Sequence, residues 1–273
     1  MDGTELTPYE VGRFVVEPGL RPYLFRVKLD PEALTAVGVL EGIAHVFAGE
    51  GVPILQVKLS APRRGEPLVL ILVADLRGRE GLAGELSKRI GSLRYVQGVS
   101  WIPPVSDGVA VDTFSFPLTF RGRRAVIFRD IVYGSIIKEG WRRFGTAYAI
   151  LLYVIGYEAG RRAYEEHVKL VPEPQTRRLF EALFQCLGYG RIALAHLDDS
   201  GREAVVRVYD SFECELFRGV GEIRGNFVRG LIAGWLAGHW QLGEGEEAFA
   251  REVKCIAKGD PYCEYVVRAE RRG

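Results

Sequence analysis

The chain has little methionine and asparagine, no long apolar run and almost no net charge. Its 273 residues include one methionine and one asparagine, and 36 basic residues balance 35 acidic residues to leave a net charge of +1. This balance gives no electrostatic reason to expect a nucleic acid or an anionic membrane surface as a partner. The longest apolar stretch, residues 147–156, is too short to cross a bilayer and is flanked by charged residues.

The start of the chain also lacks a targeting signal. Met1-Asp2-Gly3-Thr4-Glu5 has neither the basic residues nor the apolar core of a secretory signal peptide. We therefore expect a cytoplasmic protein. The scarcity of thermolabile residues, together with abundant arginine and glutamate, further indicates a thermophilic source.

Catalytic motifs are missing as well. No glycine-rich phosphate loop follows a strand, no serine or cysteine nucleophile has an evident base nearby, and no paired-histidine metal motif occurs. No dinucleotide-binding fingerprint supports hydride transfer. These absences favour a binding or regulatory protein over an enzyme.

Four cysteines are present, Cys186, Cys214, Cys255 and Cys263. In a cytosolic chain, a spaced pair of cysteines more often binds a metal than forms a structural disulfide, although hyperthermophilic proteins are an exception. Free cysteines are also often buried as small hydrophobic residues. A metal site, a disulfide and simple burial therefore all stay open from the cysteine count.

The N-terminal part of the chain alternates between strand-like and helix-like patterns. Alternating apolar residues predict half-buried strands, and apolar residues at helical spacing predict amphipathic helices. The predicted order is strand 23–29, helix 34–47, strands 52–60 and 68–74, helix 82–93 and strand 99–102. This βαββαβ order predicts a ferredoxin-like domain, in which both helices cover one face of a four-stranded antiparallel sheet.

One short motif gives this region a family resemblance. Val37-Gly38-Val39-Leu40 is similar to the Gly-x-Leu at the strand–helix turn of ACT domains, although the periodicity puts Gly38 inside the helix. The resemblance to these regulatory modules implies that an amino acid or another small effector binds at a domain interface. Alternatively, the domain serves only for dimerisation, since no polar cluster in residues 22–103 marks a site.

The proline- and glycine-containing residues 103–108 predict a domain boundary. We therefore predict a first domain of residues 1–105 and a second of residues 109–273. In the second domain, helical spacing over residues 128–144, 146–168 and 176–187 precedes a hairpin at 192–209, a helix at 226–240 and a closing hairpin at 249–267. Residues 210–215 are expected to extend the preceding strand or cap its end. Gly156 and Gly160 lie four apart, which suits close approach of another backbone.

The closing hairpin is the stretch with the clearest chemistry. Cys255 and Cys263 are symmetric about Gly259 in the turn, so in a regular hairpin they face each other. Glu252 lies three residues before Cys255, and an ideal strand would place it on the opposite face. The two thiols and this carboxylate therefore meet only if the strand contains a bulge or a strong twist.

Three segments of the second half carry a second resemblance. They are residues 124–129 with Gly156-Tyr157-Glu158-Ala159-Gly160-Arg161, then Tyr209-Asp210-Ser211-Phe212-Glu213, then Val228-Arg229-Gly230-Leu231-Ile232-Ala233-Gly234 followed by residues 252–263. Residues 120–270 thereby resemble the 4-vinyl-reductase-type domain, also described as a hydrocarbon-binding domain. The resemblance implies a mixed α+β fold similar to that of transport-particle subunits, with an apolar pocket between helices and sheet.

The same resemblance implies a structural zinc. In bacterial phenol- and toluene-responsive activators, a similar domain senses aromatic effectors and holds zinc through a Glu-x-x-Cys-x7-Cys run and an upstream cysteine. Glu252, Cys255 and Cys263 keep the spacing of that run. The position of the upstream cysteine is occupied here by Gly225-Asn226.

A structural zinc site prefers four protein ligands, so the missing one has to come from elsewhere. The candidates are Cys214, His239 and water. We predict Cys214 as the fourth metal ligand, because it lies on the segment just before the glycine-rich loop. Two buried cysteines, or a disulfide across the hairpin, are the alternatives.

Six aromatic or amphipathic side chains lie on the helices expected to line the implied pocket. They are Tyr153, Tyr157, Phe180, Phe184, Trp235 and His239. Ligand sites are mostly apolar with a few polar groups, which matches this set. Aromatic residues at helical spacing also occur as ordinary core, and that remains the alternative for each of them.

Taken with the missing catalytic motifs, these features predict a small-molecule sensor or regulatory binding protein. An ACT-like ferredoxin-fold domain would be joined to a hydrocarbon-binding domain that takes an apolar or aromatic ligand and holds zinc. We expect a homodimer, with output passing through a protein partner or the oligomeric state. The alternatives are an interaction or assembly protein without a small ligand, and an enzyme of tetrapyrrole or aromatic metabolism.

Overall fold

The computed structural model describes residues 6–271, which form two compact units with a core each, Met1–Val126 (the first unit) and Ile127–Gly273 (the second unit). Both contain helices and antiparallel sheet, so the chain is mixed α+β as predicted. The segment Met1 to Glu5, used above to argue for the cytoplasm, lies outside the described residues. No helix within residues 6–271 combines the length and apolarity that a membrane span requires.

The first unit is built around one four-stranded sheet. Its elements are β1 (Phe14–Val16), β2 (Pro22–Leu29), α1 (Val39–Gly49), β3 (Ile54–Leu59), β4 (Leu68–Asp75), α2 (Ala83–Gly91), β5 (Val96–Ile102), β6 (Val109–Val111), β7 (Thr119–Phe120) and β8 (Arg123–Arg124). The sheet order is β3-β4-β2-β5 with every pair antiparallel. This confirms the predicted βαββαβ order.

The two faces of this sheet are covered differently. On one face, Phe25 of β2 packs edge-on against Phe47 of α1 at 5.3 Å, within a core that α2 completes. On the other face, Leu24 and Ile71 form a smaller core with Ala110 of β6. Because alternate strand residues point to opposite faces, β2 and β4 are apolar on both.

The compact units do not divide at residues 103–108, where the boundary was predicted, because the chain stays in the first unit there. After that loop β6 pairs antiparallel with β1, with Ala110 opposite Val15. The two-stranded ribbon that results belongs to the first unit, and the division between units falls after Val126. Proline and glycine at residues 103–108 therefore mark a turn within a domain.

The first helix also begins later than its periodicity suggests. Residues Pro31–Leu34 form a separate 3-10 turn, and α1 begins at Val39. Gly38 precedes it with a φ of 84°, a left-handed conformation that glycine adopts without strain. Gly38 thus lies at the strand–helix connection and not inside the helix.

The second unit packs helices against another four-stranded sheet. Its elements are α3 (Asp130–Phe144), α4 (Thr146–His167), α5 (Glu173–Cys186), β9 (Arg191–Asp198), β10 (Glu203–Tyr209), α6 (Phe212–Glu215), α7 (Asn226–His239), β11 (Glu246–Lys254) and β12 (Cys263–Arg271). The sheet order is β11-β12-β10-β9, all antiparallel, so β11 and β9 are the edge strands. At β9, Leu194 donates its N–H to Glu181 of α5 at 3.0 Å and accepts from Arg177.

Helices α4 and α7 approach each other through glycines, which we call the glycine interface. Its members are Gly156, Gly160, Gly230 and Gly234. A Cβ on Gly160 would lie 2.0 Å from the carbonyl oxygen of Leu231, and one on Gly234 would lie 1.9 Å from that of Tyr157. The backbones are therefore too close for any side chain, as the spacing of Gly156 and Gly160 predicts.

Candidate functional site

The closing hairpin contains the bulge that its spacing requires. Glu252 of β11 pairs with Tyr265 of β12, whereas Lys254 pairs with Glu264, so one extra residue is inserted on β11. The bulge brings Glu252 onto the side of the sheet where the cysteines lie. The predicted bulge is thus confirmed.

The turn of the hairpin fixes the two cysteines. Cys255 ends β11, and its N–H donates to the Asp260 carboxylate at 2.8 Å. A 3-10 turn over Ile256–Lys258 follows, and Gly259 reverses the chain at a φ of 108°. Cys263 then begins β12 opposite Val208 of β10.

Cys214 reaches the same point from α6. We name Cys214, Glu252, Cys255 and Cys263 the cysteine cluster. All four are buried, and one ligand atom from each lies within 4.8 Å of the others. The Cys214 sulfur is 3.9 Å from a Glu252 oxygen. The structure therefore brings together all four residues that the sequence predicts as metal ligands, whereas His239 lies elsewhere.

Residues 210–215 do not extend β10, which was one of the two alternatives expected for this segment. Asp210 adopts a φ of 53°, which turns the chain out of the strand, and α6 follows at Phe212–Glu215. This turn directs Cys214 into the interior. A Cβ on Gly225 would lie 2.8 Å from a Glu252 oxygen, so the position of the missing cysteine borders the same site.

The donor set of the cysteine cluster fits zinc. Three sulfurs and one carboxylate oxygen are ligands that zinc accepts, and donors bound to a tetrahedral zinc lie roughly 3.5–3.8 Å apart. The cluster needs only small side-chain movements to reach that spacing. With four protein ligands there is no open coordination position, which is the arrangement of structural sites and not of catalytic ones.

The cluster is strongly coupled electrostatically. Hydrogen bonds to Cys255 and Cys263, together with burial, raise the pKa of Cys214 far above its ordinary value. The thiols of Cys214 and Cys263 instead lower the pKa of Cys255 by stabilising its thiolate. Burial and the neighbouring Cys255 raise the pKa of Glu252 to about 9. An ion bound here would displace these protons, since metal ligands must be deprotonated.

A second buried carboxylate, Glu213, holds the start of α7. It accepts hydrogen bonds from the N–H groups of Asn226 (3.0 Å), Phe227 (2.9 Å) and Val228 (2.9 Å). Burial raises its pKa to about 7, against the opposing effect of these donors. Because Glu252 accepts from Gly225 at 3.1 Å, the two carboxylates bind four successive backbone N–H groups.

Sequence reasoning gave Glu213 no role. It lies 13 residues before the helix it caps, and local capping patterns look only within the first turn. Its place in the segment Tyr209-Asp210-Ser211-Phe212-Glu213 was the one available signal.

We expect Glu213→Gln to destabilise the protein by about 1–3 kcal/mol, because the amide NH2 would face a backbone donor. Glu215→Gln is the matched control, since Glu215 pairs with Arg218 at the surface and its loss should cost less than about 0.5 kcal/mol. Urea denaturation of the three proteins measures the difference. Equal stability of the two variants would contradict the capping role of Glu213.

Four of the six predicted ligand residues form one packed group, which we call the aromatic stack: Phe180, Phe184, Trp235 and His239. Phe180 lies parallel to Trp235 at 4.5 Å, and Trp235 lies parallel to His239 at 5.4 Å. Phe180, Phe184 and Trp235 are at most 3% exposed. They therefore fill the core between α5 and α7.

The polar groups of the aromatic stack contact residues at its rim. Trp235 donates through Nε1 to His167 Nδ1 at 3.1 Å. His239 Nε2 lies 2.9 Å from an Asp199 oxygen, and its Nδ1 lies 3.3 Å from Glu173. His239 is the last residue of α7, and its contacts with two carboxylates suit it to anchor that end of the helix.

His167 should make stability depend on pH. Burial lowers its pKa below the ordinary 6.5, so the native state keeps the neutral ring that accepts from Trp235. As pH falls below about 6.5, the unfolded chain takes up a proton that native His167 resists, and stability falls toward the lowered native pKa. We expect His167→Gln to show a smaller loss between neutral pH and about pH 5. His45→Gln, at an exposed site on α1, should behave as the parent. Identical pH curves for parent and His167→Gln would contradict this.

Tyr153 and Tyr157, the other two predicted ligand residues, belong to α4 and pack against β11. The Tyr157 hydroxyl accepts from Ala248 N–H at 3.4 Å, and that of Tyr153 accepts from Ala250 N–H at 3.5 Å. The structure thus divides the six predicted ligand residues into two sets. Four of them pack in the aromatic stack, and the other two form a half-buried tyrosine pair, so the six do not line one shared pocket.

Arg229 of α7, which sequence reasoning did not select, lies beside Tyr153. Its guanidinium is 5.1 Å from the centre of the Tyr153 ring, and its Nη2 donates to Asn226 at 3.0 Å. Its Nε is buried and, within residues 6–271, has no hydrogen-bond partner. Burial raises the pKa of Tyr153 to about 12, so its hydroxyl stays protonated.

The turn around Gly38 in the first unit borders a smaller depression of about 350 Å³. It is lined by apolar side chains around Gly38, with Glu41 as the one charged member. Amino-acid recognition needs partners for both an ammonium and a carboxylate group. This lining offers no cation for the carboxylate.

Comparison with known proteins found relatives but no matching family model. An uncharacterized protein of Methanocaldococcus jannaschii, MJ0150, is 28% identical over 135 residues, which cover 49% of this chain and 72% of that protein. The phenol-responsive sensory domain of the transcription activator PoxR with phenol is a similar structure, with 17% identity, a TM-score of 0.46, and coverage of 53% of this chain and 76% of that one.

Two further structures are similar at the same low level. A trafficking protein particle complex subunit 3 from Naegleria fowleri, covalently bound to palmitic acid, has 17% identity and a TM-score of 0.39 over 52% of this chain and 92% of that chain. A vinyl-4-reductase family protein from Methanocaldococcus jannaschii has 15% identity and a TM-score of 0.36, covering 54% and 84%.

Proposed function

We propose that this chain is a cytoplasmic, small-molecule-responsive regulatory protein. Its second unit binds an aromatic compound that carries an oxygen atom, and it holds a structural zinc. The observation that carries the proposal is the buried, unpaired Nε of Arg229 beside the Tyr153 ring. The first unit acts as an ACT-like regulatory or dimerisation module.

The unpaired donor defines the chemistry of the ligand. A buried N–H without a partner costs roughly 1–3 kcal/mol, and a ligand oxygen would remove that cost. The Tyr153 ring beside Arg229 is flanked by the rings of Tyr157 on α4 and Phe249 on β11, each with its centre 6.3 Å from that of Tyr153. Aromatic walls around one polar anchor suit a phenol or a related ring compound.

A bound zinc would influence the proposed ligand site at Arg229 through α7. Cys214, Glu252, Cys255 and Cys263 would hold the ion, and Glu252 also binds the N–H of Gly225 just before the helix. Arg229 lies one turn into the same helix. An ion that fixes the start of α7 therefore fixes the orientation of the anchor for the ligand.

Phenol and toluene test the proposal as a matched pair, because they differ in one hydroxyl. We expect phenol to raise the melting temperature of the protein and to bind in calorimetry, and toluene to bind at least about tenfold more weakly. Arg229→Met should remove the preference for phenol. Arg178→Met, an exposed arginine on α5, should keep it.

Equal binding of phenol and toluene, or an unchanged preference in Arg229→Met, would contradict the anchor role. If phenols, amino acids, isoprenoids and tetrapyrroles all fail to stabilise the protein, the sensor proposal is wrong.

An interaction or assembly protein is the second candidate, and one observation favours it. The aromatic stack is filled, while α4 exposes a row of apolar side chains. Ile150, Leu151, Val154 and Ile155 are between 48% and 65% exposed, and Ile131 and Ile136 of α3 are similar. Adjacent exposed apolar side chains of this kind are typical of a surface that another protein covers.

We expect this row to pair with a second copy of the chain. Ile150→Lys with Val154→Lys should convert a dimer to a monomer in sedimentation velocity, because two charges would be buried in an apolar interface. Arg162→Ala, an exposed change on the same helix, should leave the dimer intact. A parent protein that sediments as a monomer at all concentrations would contradict the homodimer.

A further inference from the structure

A large cleft lies in the first unit, on the sheet face opposite α1 and α2. Its volume is about 1060 Å³, and two of the side chains that line it are acidic, Glu66 and Asp112. Six are basic: Arg13, Arg26, Lys58, Arg63, Arg64 and Arg121. We propose that this cleft binds a small amphipathic anion, a molecule with a carboxylate or phosphate joined to an apolar or aromatic group. The proposal is independent of the function assigned to the second unit.

The strand register places two of the cations in one row across the sheet. Lys58 of β3 and Arg26 of β2 both lie opposite Ile71 of β4, and Arg26 also lies opposite Ser100 of β5. Directly opposed residues point to the same face. Since neighbouring strands are about 4.8 Å apart, the two cations flank Ile71 with roughly 10 Å between their backbones.

The acidic residues of the cleft are already engaged. Asp112 binds Arg13 at 3.1 Å with one oxygen, and its other oxygen accepts the N–H groups of Phe114 and Ser115. Glu66 lies 3.6 Å from Arg63.

Four cations are left without a carboxylate within 4 Å in the described part of the chain: Arg26, Lys58, Arg64 and Arg121. Burial and the charge of Arg13 lower the pKa of Lys58. Each of these effects disfavours an unaccompanied positive charge. A bound anion would stabilise the charged form of Lys58 and so oppose the lowering of its pKa.

The cleft also has an apolar part, which indicates that the ligand carries an apolar group beside its anionic one. Val69 and Ile71 form its floor, and Phe114, Phe116 and Leu118 form one side. The Arg26 guanidinium lies 4.8 Å from the centre of the Phe114 ring, so cationic and aromatic groups are interleaved. A simple inorganic ion would leave this apolar surface uncovered. An anion with an attached ring or short chain matches both parts.

The experiment uses three probes of one shape: 2-naphthoate, 2-naphthyl phosphate and the neutral 2-naphthamide. We expect one or both anions to bind the full chain in calorimetry, more weakly at high salt, and the amide to bind at least about tenfold more weakly. Whichever of the two anions binds more tightly identifies the head group of the ligand as carboxylate or phosphate.

Variants locate the site. Lys58→Met and Arg26→Met keep an unbranched apolar side chain and remove the charge, and each should weaken anion binding by about tenfold. Lys88→Met on α2, on the opposite side of the sheet, should have no effect. Circular dichroism and melting curves establish that the variants are folded. Amide binding as tight as anion binding, unchanged affinity in Lys58→Met and Arg26→Met, or no binding of either anion would overturn the proposal.

Discussion

Replacing Gly160 with alanine should destabilise the second unit by about 3 kcal/mol or more, enough to remove much of the stability of an ordinary domain. The new Cβ would lie 2.0 Å from the Leu231 carbonyl oxygen and 2.8 Å from the Trp235 nitrogen. Both atoms belong to the backbone of α7, so no side chain can turn away to make room.

The helices themselves must then separate, and the aromatic stack separates with them. Trp235 packs on Phe180 and donates to His167, so movement of α7 breaks both contacts. Gly234→Ala should behave in the same way, because its Cβ would lie 1.9 Å from the Tyr157 carbonyl oxygen.

The decisive readout is whether alanine lowers or raises the free energy of unfolding. Alanine stabilises an unobstructed helix by roughly 1 kcal/mol relative to glycine. Gly84→Ala on α2 is the matched control, because its Cβ would meet nothing within 4 Å, and it should be neutral or stabilising. Denaturant titration followed by tryptophan fluorescence gives all three values. A Gly160→Ala variant as stable as the parent would show that α4 and α7 are not in backbone contact.

Zinc removal should produce the other large effect. We expect the protein, purified without added metal, to carry about one zinc per chain and to lose several kcal/mol of stability when a chelator removes it. Cys255→Ser should reduce the zinc content sharply, lower the melting temperature and make it insensitive to the chelator. Cys186→Ser should match the parent, since Cys186 is exposed and far from the cysteine cluster in sequence.

The parent protein alone suffices to decide between metal and disulfide. Zinc protects thiols from alkylation until a chelator is added, whereas a disulfide protects them until a reductant is added. Buried free thiols react only when the protein unfolds. Absence of bound metal together with full thiol reactivity in the native protein would contradict a zinc site, whether or not Cys255→Ser folds.

The closing hairpin shows how far local spacing predicts a site. The separation of Glu252, Cys255 and Cys263 predicted that the three side chains meet only if the strand contains a bulge or a strong twist, because spacing along a strand determines which face a side chain points to. The structure contains the bulge. Local spacing could not show how Cys214 comes to lie in the cysteine cluster. That depends on Asp210, whose left-handed backbone converts an expected strand extension into α6.

Features that depend on distant pairing escaped the sequence altogether. Glu213 caps a helix that lies beyond a glycine-rich loop, and nothing in its own neighbourhood marks that role. The basic cleft draws Arg13, Arg26 and Lys58 from separate segments, so none of these three stands out as part of a cluster. The division of the compact units differs from the boundary predicted at residues 103–108 for the same reason, since the pairing of β6 with β1 has no local signature.

Both edge strands of the sheet in the second unit have outward backbone groups that are bound by helix side chains. At β11 the hydroxyls of Tyr157 and Tyr153 accept the N–H groups of Ala248 and Ala250, and at β9 the side chains of Glu181 and Arg177 bind the N–H and the carbonyl oxygen of Leu194. Edge strands with free backbone groups invite pairing between molecules. A further strand would have to displace these side chains at either edge, which hinders fibrous aggregation and β-strand exchange.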